Sequence, residues 1–210
     1  MKICILTDSQ WPSEADAIQD AIAALPFGKA EQERLYAIAN PLRKSQSIGA
    51  LLALQTLCAS LTYPICRTAT GKPVFDTPNA PQFSLSHTDG IAVAALAETS
   101  EGRIGVDFEW LRPLDFDRIA ARFFSPTELA RYESIPSPEI FFALWTEKEA
   151  MAKLSGNGLF GGMQPKRNAA NCQHTYLRAG DRIGVLCVVT EYAAATTAIS
   201  LPPTFEIINL

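Results

Sequence analysis

The stretch RIGVDFEWLRP (103–113) restricts the fold more than any other part of this chain. Side chains alternate along a β-strand, so Ile104, Val106, Phe108 and Trp110 share one face and Gly105, Asp107 and Glu109 the other. The first face is apolar and needs a hydrophobic layer against it. The second sets a glycine beside two carboxylates, about 7 Å apart at a rise of ~3.3 Å per residue. Carboxylates that close repel unless water or a cation separates them. The strand alone admits two readings: a solvated outer face, or one wall of a cation site. Gly105 bears on the choice, because a glycine inside a strand often marks the close approach of a ligand or another backbone. All-oxygen ligands would select Mg²⁺ or Mn²⁺.

The rest of the chain reads as a mixture of helices and strands. A strand is predicted over 2–8, helices over 13–25 and 29–40, stopped by Pro26 and Pro41, and a longer helix over 43–61. There Ile48, Leu51, Leu52, Gln55 and Leu61 fit a period near 3.6. A turn leads to a short strand at 70–76, and 81–98 reads as two strands about Thr88-Asp89-Gly90. Helix in two pieces, broken near Ser125-Pro126, is expected over 115–133. The longest helix, 139–156, closes at Gly156, and β-rich runs follow from Tyr176. Each half thus runs from a long helix into strands, an echo with slight sequence identity. The small, polar stretch 99–103 is the expected joint. The fold class is α+β, with antiparallel sheets and packed helices.

Composition narrows the function. With 210 residues, 48% of them apolar, the chain suits one sizeable domain or two fused units. A net charge of −4 argues against a broad nucleic-acid surface while leaving room for a local basic pocket. The N-terminal apolar run is too short for a signal-peptide core, and no apolar run reaches membrane-spanning length. A soluble cytoplasmic protein without membrane or nucleic-acid partners is expected. Five cysteines without a CxxC pair suggest buried, reduced thiols. With His87 and His174 in unrelated contexts, no zinc site is expected.

A second acidic position comes from ALWTEKEAMAKLSGNGL (143–159). Trp145, Glu149 and Lys153 recur at i, i+4 and i+8 and share a helix face, with Lys148 adjoining it. Taken alone, Glu149 and Lys153 are an ordinary surface pair. Taken with the strand, Asp107, Glu109 and Glu149 could close on one divalent ion flanked by Lys148 and Lys153. Carboxylates for Mg²⁺ beside lysines for phosphate oxygens are the makings of a phosphoryl-transfer site. The first half offers anion contacts: Lys72 and Pro73 in GKPVF (71–75), Ser86 and His87 in FSLSHTDG (83–90), and Arg43 ahead of the long helix. Ser86 and His87 point oppositely as strand neighbours, so they cannot serve each other as nucleophile and base.

GKPVF, FSLSHTDG, IGVDFEW (104–110), RFFSPTE (122–128) and WTEKEAMAKLSGNGL (145–159), in that order, resemble the Sfp-type 4′-phosphopantetheinyl transferases. The resemblance covers most of 43–160; the two ends agree mainly in length and strand content. It implies a pseudo-dimer of two similar subdomains, 1–100 on the nucleotide side of coenzyme A and 101–210 with the metal site and catalytic helix. It also implies transfer of the phosphopantetheine arm of coenzyme A to a serine of an acyl or peptidyl carrier protein, releasing adenosine 3′,5′-bisphosphate. By motif position, Asp107, Glu109 and Glu149 would hold Mg²⁺ and Lys153 would steady the leaving phosphate. Glu149, or a water it orients, would take the serine proton. Lys72 and Pro73 would line the nucleotide end, Ser86 and His87 would meet phosphate oxygens, and Arg43 would lie near the 3′-phosphate. Glu128 would sit at the site edge. Phe124, Leu129 and Tyr132 would form either an apolar ledge for a carrier helix or plain core. By analogy the protein would be a monomer. A Mg²⁺-dependent phosphoesterase acting on another pyrophosphate, and a non-catalytic binder of coenzyme A or carriers, remain alternatives.

Overall fold

The apolar face of the 104–110 strand finds its hydrophobic layer in a second sheet. The computed structural model describes residues 1–59, 61–97, 102–157, 171–191 and 198–209. In chain order the elements are β1 (Lys2–Thr7), α1 (Ala15–Ala24), α2 (Lys29–Tyr36), α3 (Pro41–Cys58), β2 (Ile65–Arg67), β3 (Pro73–Phe75), β4 (Gln82–Thr88), β5 (Ile91–Ala97) and β6 (Ile104–Trp110), then α4 (Phe116–Phe123), α5 (Pro126–Ser134), α6 (Pro138–Ser155), β7 (Asn171–Ala179), β8 (Arg182–Thr190), β9 (Ala198–Ser200) and β10 (Phe205–Ile208). One sheet has the order β4-β5-β1-β9, another β10-β7-β8-β6, and β2 pairs with β3. The α+β class is as the sequence implies.

The two larger sheets face each other. Ile3 and Ile5 of β1 and Ile91, Val93, Ala95 and Ala97 of β5 pack against Ile104, Val106, Phe108 and Trp110 of β6. Those four side chains are no more than 3% exposed, and full burial of residues of this size contributes about 1.5–3 kcal/mol each. The outer face of the first sheet meets α3 through Cys4, Ala94, Ile48, Leu51 and Leu54. The outer face of the second meets α6 through Cys187, Val189, Ala150, Met151 and Leu154. The layers run helix, sheet, sheet, helix.

Helix α6 is delimited by local signals. The Ser137 side chain accepts the Ile140 N–H, Pro138 opens the first turn, and Gly156 closes the last at φ 76°. The helix then presses on β6 where side chains would obstruct it. A Cβ added at Gly105 would lie 1.9 Å from the Ala150 carbonyl oxygen. Gly105 therefore admits the backbone of α6. The acidic face of β6 is not solvated: Asp107 is 5% exposed and Glu109 is half-buried.

Several local expectations shift. α3 begins at Pro41 and ends at Cys58, so Arg43 lies in its first turn, where its N–H bonds to the capping Asn40 side chain. Leu61, expected on the buried stripe of that helix, lies beyond it and is exposed. α2 stops at Tyr36, short of Pro41. The sheets are antiparallel except where β9 joins β1 in parallel, a long-range pairing with no local signature. Of the cysteines, Cys4, Cys58 and Cys187 are buried as expected, but Cys172 is exposed and Cys66 half-buried. Among the described residues no helix is long and apolar enough to cross a membrane. The joint expected at 99–103 falls mostly outside the described residues, as do the last two residues of WTEKEAMAKLSGNGL.

Candidate active site

β4 and β6 are the end strands of their sheets, and they meet along a seam made by hydroxyls. Ser84, Ser86 and Thr88 sit two residues apart and share one face of β4. The Val106 N–H donates to Ser84 Oγ at 3.0 Å, Ser86 Oγ donates to Asp107 Oδ1 at 2.7 Å, and Thr88 Oγ1 makes a longer contact of 3.4 Å with Glu109 Oε2. Ser86 is thus turned inward onto Asp107 while its neighbour His87 is exposed. The hydroxyl ladder, of which only Ser86 stood out in the sequence, was legible there as S-x-S-x-T at strand spacing.

Helix α6 approaches the same carboxylates from the other side. Lys153 Nζ donates to Asp107 Oδ1 at 2.7 Å. Asp107 Oδ2 is buried and has no hydrogen-bond partner among the described residues. Such an atom carries a desolvation cost of roughly 1–3 kcal/mol or more unless something completes its coordination. Glu109 Oε2 accepts from Arg112 Nη1 at 2.6 Å. Burial, opposed by Arg112 and reinforced by the Asp107 charge, holds Glu109 above the usual carboxylate range. Burial and then the charge of Asp107, with Glu109 adding to it, raise Glu149 against the pull of Lys153. The three carboxylates are therefore within electrostatic reach of one another in a partly dehydrated place. Hard oxygen donors, mutual repulsion and a buried carboxylate oxygen lacking a partner fit a small divalent cation such as Mg²⁺.

Beside the carboxylates lies an open cleft of about 240 Å³. Lys72, Pro73, Phe83 and Ser84 line it from the first half, and Glu149, Lys153 and Gly156 from the second. Lys72 reaches across the cleft, donating to the Leu154 carbonyl at 2.9 Å at the negative end of α6. Burial, with Arg103 adding to it, lowers the Lys72 ammonium to about 8. His87 is pushed down by crowding from surrounding protein atoms and then by the charges of Lys153, Arg43 and Arg34. Arg43, in the first turn of α3, and Lys153 thus act electrostatically on the same imidazole.

Two expectations resolve differently. Lys148 was expected to flank the ion; its ammonium instead bonds to Glu128 Oε2 at 3.0 Å, a pair in which both side chains are largely buried. Glu128 also accepts the Ser125 N–H in the capping box that starts α5. It thus links α5 to α6. Phe124 and Tyr132 belong to the core rather than to a surface ledge: both rings pack on Phe141 of α6, and both residues are under 10% exposed. Arg112, unremarked in the sequence, partners Glu109. Its signal was the i,i+3 spacing, which has little force outside a helix. Away from the cleft, Cys172, His174 and Cys187 come together although their sequence spacing gives no ligand motif.

Known proteins share sequence with this chain over the stretch that holds these carboxylates. Residues 103–195 match the model of the 4′-phosphopantetheinyl transferase superfamily. The chain is 40% identical over 96 residues to the 4′-phosphopantetheinyl transferase HetI of Nostoc, covering 42% of this chain and 40% of that protein. It is 36% identical over 93 residues to the 4′-phosphopantetheinyl transferase Sfp of Bacillus subtilis, covering 42% and 39%. Against the L-aminoadipate-semialdehyde dehydrogenase-phosphopantetheinyl transferase of Schizosaccharomyces pombe the identity is 30% over 183 residues, covering 76% and 69%. The matched stretch thus spans well under half the length of the two bacterial relatives. The longer alignment extends the likeness beyond the second half, and on it the chain belongs to the 4′-phosphopantetheinyl transferase superfamily.

Proposed function

We propose that the protein transfers the 4′-phosphopantetheine group of coenzyme A to a serine hydroxyl of an acyl or peptidyl carrier protein, with Mg²⁺ as the required ion. The observation that carries this reading is the buried Asp107 carboxylate, one oxygen held by Ser86 and Lys153 and the other without a partner among the described residues, beside a cleft that Glu149 and Lys153 line. Asp107, Glu109 and Glu149 would hold the ion, which when bound supplies neutralisation of the pyrophosphate charge.

The chain's own groups divide the remaining work. Ser86 and Lys153 hold Asp107 in place, so that its free oxygen is oriented before any ligand arrives. Glu149, or a water it orients, would take the serine proton. As the serine oxygen bonds to phosphorus, the bond from that phosphorus to the adenosine bisphosphate breaks. Lys153 is placed to stabilise the charge left on the departing phosphate. Lys72 and Pro73 line the nucleotide end of the cleft, and Arg43 and His87 form the corner suited to the 3′-phosphate. The division into subdomains 1–100 and 101–210 would then place nucleotide binding in one and proton transfer in the other.

Incubation with coenzyme A, Mg²⁺ and an apo-carrier, followed by mass spectrometry of the carrier, tests this. A gain of one phosphopantetheine group is expected. No gain on any of several fatty-acid, polyketide and nonribosomal-peptide carriers would overturn the reading. Release of nucleotide without a carrier would replace it with a phosphoesterase.

A further inference from the structure

The face of the second sheet that carries Asp107 carries another group of side chains. Cys187 of β8 stands opposite Asp107 of β6 on one side and opposite His174 of β7 on the other. Cys172 lies two residues before His174 on the same face of β7. Cys172 Sγ is 3.4 Å from Cys187 Sγ and 3.9 Å from each ring nitrogen of His174. Ligand atoms of all three residues fall within 4.8 Å of one another. We propose that Cys172, His174 and Cys187 form a second metal site, selective for a thiophilic divalent ion of the zinc type and separate from the carboxylate site.

The spacing is that of ligands around a small tetrahedral ion. Zn–S bonds near 2.3 Å and Zn–N bonds near 2.0–2.1 Å put neighbouring ligand atoms ~3.5–3.8 Å apart. The S–S separation of 3.4 Å lies slightly below that range and the S–N separation of 3.9 Å slightly above it, so an ion would seat with small side-chain adjustments. The hydrogen bond of the histidine also suits a ligand. His174 Nε2 lies 3.0 Å from the Ala143 carbonyl of α6. Donation from Nε2 to that carbonyl leaves Nδ1 as the acceptor, the second-sphere arrangement that fixes the tautomer of metal-binding histidines.

The frame is rigid on one side and open on the other. Cys187 is fully buried beneath Ala150, Met151 and Leu154 of α6. Cys172 is exposed, which gives an ion a path in and leaves room for a water as fourth ligand. A cystine fits this layout less well. Cys172 is paired with Val189, so the cysteines are diagonal neighbours, typically ~7–8 Å apart at Cα. Disulfides seldom span more than about 6.8 Å. A cystine would also make no use of the histidine. The donor set separates this site from the carboxylates: thiolate and imidazole select zinc-like ions, carboxylates select Mg²⁺.

Co²⁺ titration of the reduced, chelator-treated full chain tests the proposal. One equivalent should produce thiolate-to-cobalt charge-transfer absorption and tetrahedral ligand-field bands. One equivalent of Zn²⁺ should abolish both, and excess Mg²⁺ should leave both intact. Losing an outer-sphere partner typically weakens metal affinity ~10–100-fold, so losing a ligand should cost at least that much. The exposed Cys172→Ser variant, expected to fold normally, and His174→Gln should each show such a loss. Three results would overturn the proposal: no charge-transfer band in folded, reduced protein; a band unchanged in Cys172→Ser; or loss of two hydrogens between Cys172 and Cys187 under mild oxidant with no metal uptake by the reduced form. The last would identify a redox pair.

Discussion

In the first half, the glycine of the long helix admits a side chain: α3 packs on its sheet through Ile48, Leu51 and Leu54, and a Cβ at Gly49 would meet the ring of Trp11. In the second half, α6 lies directly on β6, its Ala150 carbonyl against Gly105. That contact brings Lys153 of α6 within hydrogen-bond distance of Asp107 and Glu149 within its electrostatic reach. The seam between the halves is correspondingly unequal in chemistry. The first half contributes hydroxyls and cations through Ser84, Ser86, Thr88, Lys72, Arg43 and His87, and the second contributes the carboxylates. Two sheet-and-helix units can thus bring different chemistry to one seam, the carboxylates coming from the unit whose helix backbone lies against a strand glycine.

The comparison breaks most sharply at Asp107. Asp107→Ala should reduce transfer by on the order of 10²–10³-fold, the usual loss for a preorganised electrostatic group, with a much smaller effect on coenzyme A binding measured by calorimetry. Equal losses in turnover and binding would assign Asp107 to ground-state binding. Gly105→Ala should destabilise the fold by about 3 kcal/mol or more in urea denaturation, because α6 must lift off β6. Gly49→Ala in the first half should be milder, since there the obstacle is a side chain that can shift. Similar costs at both positions would remove the distinction between the two helices.

Ser86→Ala tests whether the first half positions the acid of the second. Hydrogen bonds to charged groups are worth about 1.5–3 kcal/mol, so a roughly tenfold loss of turnover is expected, with Ser86→Thr retaining more. Unaltered turnover in Ser86→Ala would make the hydroxyl ladder purely structural. The smallest effect concerns Lys72. Its ammonium is depressed from 10.5 to about 8, chiefly by burial. Between those values the native state holds fewer protons than the unfolded chain, so this group makes stability rise as pH climbs through the window. The lost charge should weaken coenzyme A binding a few-fold over the same range. Lys72→Met should flatten the stability rise, and Lys72→Arg should keep binding level with pH. A wild-type profile without either trend would sink the assignment.

Much of this was legible because the signals are local. The strand at 104–110 was bounded correctly by alternation alone, and the end of α6 by Gly156, while Pro138, read from the sequence as loop, opens the helix. The helix break at Ser125-Pro126 came from a capping box. Other features have no local signal. Lys148 and Glu128 are 20 residues apart and meet only because α5 packs on α6. The parallel pairing of β9 with β1 joins residues near opposite ends of the chain. Phe124 and Tyr132 read equally well as ledge or core until Phe141 packed against them.

By itself the sequence determined which side chains share a face: Ile104, Val106, Phe108 and Trp110 against Gly105, Asp107 and Glu109, and Glu149 with Lys153 one helical turn apart. Backbone periodicity is enough for that. Only the tertiary structure decided what those faces meet. It turned the acidic face of β6 under a helix instead of into water, gave one oxygen of Asp107 to Ser86 and Lys153, and left the other without a partner among the described residues. It also gathered Cys172, His174 and Cys187, which strand register alone brings together. The physical reason is that registers and helix-to-sheet distances are set by packing between segments far apart in sequence, where local periodicity carries no information.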